Sequence, residues 1–296
     1  MDDYEFETPI LFLTFNRFDV TKKVFEKIKE MKPKQLFLAS DGWRNDDEEI
    51  DVKIIRRYLL HNIDWNCDVR LLFRDSNLGC KKAVSSAIDW FFDNVEQGII
   101  LEDDCLPDTT FFRYCEELLD KYKDNEKIIS INGTNQLRDL DTVTIDSYCF
   151  SKYFFCWGWA TWRRAWKKYD NALDKFRELE QQNKLKEFYP GIIERKLRIK
   201  RVNDSVNSWA IQFSLAHQLN KCYSVIPEFN LVENIGFIDD STHTKPNKWD
   251  KKFLNIDVKP MNFPLRHPEE VEENTKFFRL WITHDVIRAT LKRFFK

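Results

Sequence analysis

The first third of the chain alternates short apolar runs with segments of helical periodicity. The run PILFLTF at Pro9–Phe15 is almost entirely apolar, which is typical of a strand buried on both faces of a parallel sheet. From Val20 to Met31 the apolar positions recur at helical spacing, which predicts an amphipathic helix. The positions on its apolar face are Val20, Val24, Phe25 and Ile28.

The same order of strand and helix continues as far as Asp104. Strands are predicted at Gln35–Gly42, Asp68–Asp75 and Gly98–Asp104, with a helix at Glu48–Leu60 and another that opens at Gly79. An order of β-α-β-α-β-α-β predicts an α/β fold, with a mostly parallel central sheet and helices on both of its faces.

Polar side chains follow each of these predicted strands. Ligands of open α/β sheets bind outside the carboxyl ends of the strands. Any one of these residues has a simple explanation as a turn residue, but their coincidence at one edge predicts a binding site. The residues are Asn16, Arg17, Asp41, Arg74, Asn77, Gly79, Glu102, Asp103 and Asp104.

The second half has a different pattern, and no Pro/Gly/Ser-rich linker precedes it, so we expect one continuous unit. Tyr148–Asp170 carries four of the ten tryptophans around one glycine. Phe176–Phe188 predicts a polar surface helix, and Asn207–Cys222 predicts a helix with a buried face. Strands broken at a proline and a glycine are predicted within Tyr223–Thr244.

Composition narrows the functional class. The 296 residues carry a formal net charge of −2 and are 43% hydrophobic, as in an ordinary globular protein. This near-neutral balance argues against nucleic acid as a partner, because nucleic-acid binding requires a strongly basic face. Seven cysteines without a CxxC pair favour reduced thiols, and the acidic first residues do not resemble a secretory signal. We therefore expect a cytoplasmic protein.

Three consecutive acids, Glu102, Asp103 and Asp104, follow the apolar run of the fourth predicted strand. Acids before a helix often serve its N-terminal turn, where the helix dipole favours carboxylates. Here Pro107 and Asp108 already suit that start, which leaves the earlier acids for another purpose. Mn²⁺ or Mg²⁺ takes oxygen ligands, and Mg²⁺ commonly joins one or two carboxylates to substrate phosphates. The acids therefore suit a metal–diphosphate site better than an all-protein metal cage.

The ordered set of motifs resembles the GT-A glycosyltransferases, and within them the N-acetylglucosaminyltransferase I type. The likeness covers most of residues 9–245 and includes Asn16-Arg17, Ser40-Asp41 and the acids followed by CLPDTTFFRYCEELL. The aromatic segment CWGWATWRRAW and a later Trp-containing helix before a Pro-Glu strand complete it. The helix motif is looser here, with two more residues between its proline and its first phenylalanine.

The resemblance implies a role for each acid. Asp104 would bind the metal, Mn²⁺ or Mg²⁺, while Asp103 would lie near the ribose and Glu102 would support both. His243 would complete the metal or diphosphate site, although a hydrogen bond within a loop explains a lone histidine equally well.

The resemblance also implies contacts with a UDP-sugar. Asp41 would face the uracil base, and Arg17 with Asn16 would face the nucleotide. One ring of the aromatic segment would line the sugar, either Trp157 or Trp159, although several aromatic residues there must belong to the core. Looser matches, at positions where related enzymes contact nucleotide or phosphate, are Arg74, Asn77 and Lys81.

The catalytic base is where the pattern breaks. Inverting enzymes of this type place a carboxylate directly after the tryptophan of the later helix, within reach of the acceptor hydroxyl. Ala210 follows Trp209 here, and alanine cannot accept a proton. Three explanations stand: a base elsewhere, a native aspartate replaced by alanine, or a pseudoenzyme that binds nucleotide without transferring sugar. The candidates for a base elsewhere are Asp204, Glu233, Asp239 and Asp240.

The end of the chain predicts a basic amphipathic helix. Residues 275–296 contain six basic residues and a single acid, with aromatic and aliphatic residues along one stripe. Such a helix suits the surface of an anionic membrane, which would place the protein peripherally on the inner membrane face. Docking of the helix on the protein core explains the stripe equally well.

These observations predict a GT-A glycosyltransferase domain over residues 1–272 and a C-terminal helix over 273–296. Within the domain we expect a nucleotide-sugar half at 1–135 and an acceptor half at 136–272. The expected reaction moves a sugar, with inversion, from a UDP-sugar to a glycan or lipid-linked saccharide, as in bacterial surface polysaccharide synthesis. A sugar-phosphate nucleotidyltransferase is disfavoured because TFNRFDVTKK, after the first strand, contains no glycine for a phosphate loop. The alternative that Ala210 supports is a nucleotide-sugar-binding pseudoenzyme.

Overall fold

The computed structural model describes residues 5–137, 144–204, 207–236 and 256–283. The strands are β1 (Ile10–Thr14), β2 (Gln35–Ser40), β3 (Asp68–Phe73), β4 (Gln97–Glu102), β5 (Cys105–Pro107), β6 (Ile128–Asn132), β7 (Tyr148–Ser151), β8 (Trp159–Trp162), β9 (Tyr223–Pro227) and β10 (Val232–Asn234). The helices are α1 (Phe18–Met31), α2 (Asp46–Asn62), α3 (Cys80–Asn94), α4 (Thr110–Lys121), α5 (Arg163–Trp166), α6 (Asp174–Gln181), α7 (Ile192–Asp204) and α8 (Ala210–Leu219). A 3-10 turn at Leu185–Glu187 and a helix over 275–283 complete the described elements.

Eight of the strands form one twisted sheet in the order β3-β2-β1-β4-β8-β6-β9-β7. The first four strands pair in parallel, β8 runs antiparallel between β4 and β6, and β7 closes the far edge antiparallel to β9. Four of the seven pairings are parallel, counting β6 with β9. The predicted α/β class with a mostly parallel sheet is therefore confirmed, while the domain boundaries at 135 and 272 stay predictions.

Both faces of the sheet are covered, and this explains the unbroken apolar runs of its strands. In β1, Phe12 packs on one face with Val24 and Phe25 of α1, while Leu11 packs on the other face with Phe91 of α3. Alternate side chains of a strand point to opposite faces, so each strand here must be apolar at every position. The four positions predicted for the apolar face of α1 are all buried.

The second half contains elements that the sequence pattern did not separate. The aromatic segment supplies two strands, β7 and β8, whose residues are all buried. The polar helix predicted at Phe176–Phe188 is divided into α6 and the 3-10 turn. Helix α7 was not predicted, because only Arg198 and Val202 of its residues are buried and no apolar stripe marks it.

A small antiparallel ribbon, formed by β5 and β10, brings a late part of the chain to the end of β4. Its register places Asn234 opposite Cys105 and Val232 opposite Pro107. Because β5 follows the three acids directly, β10 and the residues after it lie beside those acids.

The helix over 275–283 docks on the core. Phe277 is fully buried and Trp281 is 7% exposed, and both pack with Cys149, Phe155 and Ile226. For this part of the predicted C-terminal helix, the docked interpretation is therefore favoured over a membrane-bound one. None of the described helices combines the length and the apolar character that crossing a membrane requires.

Candidate functional site

The carboxyl ends of β1 to β4 lie side by side, because these four strands are adjacent and parallel. The register places Thr14 opposite Ser40 and Leu13 opposite Glu102. The residues that follow each strand therefore share one edge of the sheet, as the sequence predicts. We call this set of residues the strand-end site: Asn16, Arg17, Asp41, Arg74, Glu102, Asp103 and Asp104.

The positive charge beside the acids is an arginine. Arg17 Nη2 donates a hydrogen bond to Asp103 Oδ1 at 2.9 Å and another to Asp104 Oδ2 at 2.7 Å. Burial opposes the charged guanidinium, but the two carboxylates outweigh burial and raise the pKa of Arg17. The pairing of β1 with β4 thus brings together charges that lie 86 residues apart in the chain.

Asp103 ties the ends of β1 and β4 together. Its side chain is buried, and its Oδ2 accepts a hydrogen bond from the Phe15 N–H at 3.1 Å while Oδ1 accepts from Arg17. Burial raises the pKa of Asp103 to about 6; the charge of Arg17 acts against this rise and that of Asp104 adds to it. Both oxygens of Asp103 are therefore occupied by the protein itself.

Glu102 differs from its two neighbours. It is half-buried, and its carboxylate has no hydrogen-bond partner among the described residues. Burial, and then the charges of Asp104 and Asp103, raise the pKa of Glu102 above that of an ordinary glutamate. With every group ionised, three carboxylates face the single positive charge of Arg17, which leaves a local net charge of −2.

The donor set fits a hard divalent cation that is shared with a substrate. Glu102 offers a carboxylate without a partner, and Asp104 Oδ1 has only long contacts, with Asn234 Nδ2 at 3.3 Å and Cys105 Sγ at 3.5 Å. Within the described ranges, no three His, Cys, Asp or Glu side chains form a complete metal cage. Two carboxylates with open positions for phosphate oxygens are the arrangement typical of Mg²⁺ at nucleotide sites. His243 lies outside the described residues.

Three residues that were not predicted for the site surround Asp104. Asn234 contacts its carboxylate, the Ile235 N–H donates to its carbonyl oxygen at 2.8 Å, and Gly236 O accepts from Arg17 Nη1 at 3.4 Å. A Cβ at Gly236 would lie 2.3 Å from Asp104 Oδ2 and 2.6 Å from Arg17 Nη1, so a side chain there would displace the Asp104 carboxylate or the Arg17 guanidinium. In the sequence, this glycine indicated only the end of a strand.

Asp41 is held at the end of β2. Both of its carboxylate oxygens accept from the Leu78 N–H at 3.1 Å, and burial raises the pKa of Asp41 against these bonds and the charge of Arg74. Arg56 of α2, which the sequence did not single out, donates to the carbonyl oxygens of Ser40, Asp41 and Arg74. Arg56 therefore fixes the backbone at the ends of two neighbouring strands.

Asn16 retains an unused acceptor. Its Nδ2 donates to Glu48 Oε1 at 3.2 Å, but its Oδ1 is buried and has no hydrogen-bond partner in the described part of the chain. An unpaired buried oxygen costs free energy, so a ligand that donates a hydrogen bond here would be favoured.

The three residues that only loosely match nucleotide-contact positions, Arg74, Asn77 and Lys81, form hydrogen bonds within the protein. Arg74 Nη2 donates to Ser86 Oγ at 2.8 Å, and Lys81 Nζ donates to the carbonyl oxygen of Asn171 at 3.1 Å. Both polar groups of the Asn77 side chain bind backbone atoms of Gly42 and Gly79, at 2.8 and 3.1 Å. Asn77 therefore shapes its loop, as the simpler explanation of this residue holds.

The two tryptophans proposed for the sugar are placed differently. Trp159 is fully buried and packs with Phe154, Trp209 and Phe213, so its ring has no surface to offer a ligand. The prediction that it lines the sugar is corrected accordingly. Trp157 is partly exposed and packs beside the core cluster, so of the two only Trp157 remains a candidate.

Ala210 is the first residue of α8 and is partly exposed. It packs into the same apolar cluster as Cys80 and Cys156. Burial raises the pKa of the Cys80 thiol to about 12, and the charges of Glu102 and Asp104 contribute to that rise. The position of Ala210 at the acceptor side of the site stays a prediction.

The structure does not bring the other described candidates for a base to the acids. Asp204 is exposed at the end of α7, where it pairs with Lys200 Nζ at 2.5 Å. Glu233 lies in β10 next to Asn234, and neighbouring residues of a strand point to opposite faces. Since Asn234 faces Asp104, Glu233 faces away from it. Asp239 and Asp240 lie outside the described residues.

Comparisons with known proteins give weak likenesses. No family model and no curated protein matches the chain. Among solved structures, the chain is similar to S. aureus TarS, at 10% identity and a TM-score of 0.43, over 76% of this chain and 59% of that chain. It is similar to UDP-glucose pyrophosphorylase complexed with UDP-glucose, at 9% identity and a TM-score of 0.42, over 77% and 93%. It is also similar to mouse xyloside xylosyltransferase 1, at 10% identity and a TM-score of 0.38, over 71% and 81%. Likenesses of this size carry no argument about function.

Proposed function

We propose that the chain is a metal-dependent glycosyltransferase of the GT-A type. It moves a sugar, with inversion, from a UDP-sugar to a hydroxyl of a glycan or lipid-linked saccharide, in the synthesis of a bacterial surface polysaccharide. The observation that carries this proposal is the unpartnered carboxylate of Glu102 beside Asp104, at the edge where four parallel strands end.

Electrostatics explain why a nucleoside diphosphate would need a metal here. The diphosphate is an anion, and three carboxylates stand against the single positive charge of Arg17, so the fully ionised site would repel it. A divalent cation held by Glu102 and Asp104 would neutralise this negative charge and favour the ionised form of Glu102. When bound, Mn²⁺ or Mg²⁺ supplies Lewis-acid stabilisation of the departing diphosphate.

The remaining residues of the strand-end site hold and orient the donor. Arg17 fixes the Asp104 carboxylate and offsets part of the negative charge that the phosphates would meet. The free Oδ1 of Asn16 and the carboxylate of Asp41 are hydrogen-bond acceptors at neighbouring strand ends. Acceptors of this kind suit the N3–H of uracil, which supports UDP as the nucleotide.

A second candidate function is nucleotide-sugar binding without transfer, and Ala210 favours it. An inverting transfer needs a base that removes the proton of the acceptor hydroxyl. Neither Asp204 nor Glu233 faces the acids in the structure. The two functions share the donor site and differ only in whether a bound UDP-sugar is consumed.

The proposed function is tested by titrating UDP into the full chain by calorimetry, with and without Mn²⁺. We expect binding that requires the metal and that is lost in Glu102→Gln and in Asp104→Asn. Asp93→Asn, which removes an exposed carboxylate of α3, is the matched control and should bind as the wild type does.

Two results would contradict the proposal. UDP binding of equal strength with and without Mn²⁺ would exclude the role of Glu102 and Asp104 as metal ligands. An absence of UDP binding under both conditions would exclude the donor site and, with it, both candidate functions. Metal-dependent binding without sugar transfer would select the second candidate.

A further inference from the structure

The exposed side of α7 is unusual among the surfaces of the described protein. Ile192 and Ile193 are each 63% exposed and stand side by side at the start of the helix. Lys196 and Lys200 follow at four-residue steps from Ile192, and both are exposed. We call Ile192, Ile193, Lys196 and Lys200 the α7 outer face. It joins two bare aliphatic side chains to a row of lysines.

The surroundings of the α7 outer face are strongly basic. Residues 184–201 contain seven lysines and arginines against two glutamates, in a chain whose net charge is −2. One of those glutamates, Glu194, is turned inward, where its Oε1 accepts from Tyr153 Oη at 3.1 Å and lies 3.7 Å from Lys152 Nζ. Lys196 has no ion-pair partner among the described residues. Arg198 is also turned inward, against Tyr153 and Tyr189, and the exposed Asp204 pairs with Lys200. The positive charge that this surface presents to solvent therefore comes chiefly from Lys196 and from the exposed Lys184 and Lys186.

Tyr153 and Lys152 link α7 to the helix over 275–283. Tyr153, which binds Glu194, also stacks on Phe278 of the helix over 275–283, with ring centroids 6.1 Å apart. Lys152 Nζ lies 4.4 Å from the centroid of the same phenylalanine ring. On that second helix Arg279 is exposed, and Leu280 is 43% exposed. Two basic helices with exposed aliphatic residues are thus joined through Lys152 and Tyr153.

A comparison within the molecule shows that exposed isoleucines alone do not define this surface. Ile50 and Ile54 of α2 are 61% and 48% exposed, which is similar to the pair on α7. The first turn of α2, however, carries four acids, Asp46, Asp47, Glu48 and Glu49. An anionic surface would repel α2 and attract α7, although both expose isoleucines.

We propose that the α7 outer face docks on an anionic lipid bilayer. Ile192 and Ile193 enter the boundary between headgroups and acyl chains, and Lys196 and Lys200 contact the anionic headgroups. The partner follows from charge complementarity and from the paired aliphatic side chains, since a soluble polyanion would use the lysines and leave the isoleucines in water. This proposal does not depend on the strand-end site or on glycosyl transfer.

The test is sedimentation of the full chain with vesicles. Vesicles of equal parts phosphatidylglycerol and phosphatidylcholine are compared with vesicles of phosphatidylcholine alone. We expect binding to the first only, weakened by added salt because exposed charges are screened. Ile192→Ser/Ile193→Ser should reduce the partition coefficient by about ten-fold or more, and Lys196→Glu by at least about five-fold. The matched control is Ile50→Ser/Ile54→Ser, which should bind as the wild type does.

Several outcomes would overturn the proposal. Equal binding to both kinds of vesicle, or binding to neither, would exclude an anionic bilayer as the partner. Full binding by Ile192→Ser/Ile193→Ser would show that the attachment uses another part of the chain, such as the basic residues beyond 283. An equal loss in the α2 control would show that the isoleucines act only through stability of the fold.

Discussion

Arg17 and Asp104 are in direct contact, with the guanidinium Nη2 2.7 Å from the carboxylate Oδ2. The sequence suggested a metal as the positive partner of the acids, and it suggested the nucleotide as the partner of Arg17. In the fold, β1 and β4 bring arginine and acid together, so part of the negative charge is balanced before any ligand binds. Arg17 balances only part of the negative charge of the three acids, and the predictions below follow from this.

Replacing Arg17 should destabilise the protein strongly. Arg17→Gln leaves the buried carboxylate of Asp103 without its ionic partner, which typically costs about 3–5 kcal/mol of unfolding free energy. Chemical denaturation measures the loss. The control is Lys123→Gln, which breaks a fully exposed pair with Asp120 and should leave the unfolding free energy close to that of the wild type. Similar losses in the two variants would show that the Arg17 contacts do not stabilise the fold.

The acids should differ in the sign of their effect on stability. Glu102→Gln removes a carboxylate whose charged form is disfavoured by burial and then by Asp104 and Asp103, with only Arg17 acting in its favour, and should raise the unfolding free energy by about 1 kcal/mol. Asp103→Asn weakens its bonds with Arg17 and the Phe15 N–H, and should lower the unfolding free energy by about 1–3 kcal/mol. Thermal or chemical unfolding of both variants at neutral pH tests this contrast. A loss of stability in Glu102→Gln would refute it.

Gly236 should be indispensable to the geometry of the acids. In Gly236→Ala the new Cβ collides with Asp104 Oδ2 and Arg17 Nη1, so metal-dependent UDP binding should weaken by about ten-fold or more. Gly191→Ala is the control, because the nearest atom to its Cβ would be 3.6 Å away. The affinity of both variants for UDP in the presence of Mn²⁺ is measured by calorimetry. Unchanged binding in Gly236→Ala would mean that the Asp104 carboxylate need not keep its observed position.

Ala210 should respond to a restored carboxylate. If α8 lacks only its base, Ala210→Asp should gain transfer by about a hundred-fold over the wild type, the lower end of what a positioned base contributes. Ala210→Asn has nearly the same shape and no basic oxygen, so it should remain at the wild-type level. Transfer is measured as UDP release from UDP-sugars with saccharide acceptors. Equal rates in both variants would show that the base, if one exists, is supplied elsewhere.

His217 should make stability depend on pH. It is fully buried, with its ring nitrogens 2.8 Å from Ser130 Oγ and from the Phe213 carbonyl oxygen, and burial lowers its pKa to about 4. Unfolded histidine takes up its proton near pH 6.5, so the unfolded state binds more protons between pH 6.5 and 4. Stability should therefore fall as the pH drops through this range, by up to about 3 kcal/mol from this group.

The variant His217→Asn isolates that contribution. Its unfolding free energy, measured by denaturation at several pH values, should fall less steeply below pH 6.5 than that of the wild type. His61→Gln changes an exposed histidine of α2 and should retain the wild-type slope. Parallel slopes for wild type and His217→Asn would contradict the prediction.

The parallel half of the sheet could be predicted because each of its strands is recognisable from its own short stretch of sequence. A strand buried on both faces must be apolar throughout, and the polar residues after such strands must meet at one edge. Asp41, Asp103 and Arg17 were found in this way. Their partners were not, because the contact of Arg17 with Asp104 joins residues 87 positions apart and depends on which strands are neighbours.

The rest of the chain was harder to predict for two opposite reasons. The segment around Trp159 is aromatic in almost every position, so its periodicity distinguishes neither strand from helix nor core from ligand surface. Helix α7 has almost no buried residues, so it carries no apolar stripe. Gly236 was visible as a glycine, but its role depends on how closely its backbone approaches Asp104.

Synthesis from the N-terminus imposes an order on this sheet. The first four strands can pair once residue 102 has left the ribosome, but the second edge of β4 stays open until β8 emerges. The apolar cluster around Phe155 is completed later, because Phe277 and Trp281 of the last described helix belong to it. A nascent chain that stalls before these residues exposes an apolar surface to water, which favours aggregation or capture by a chaperone. Removing the C-terminal residues from Phe277 onward should therefore reduce the yield of soluble protein, although none of these residues belongs to the strand-end site.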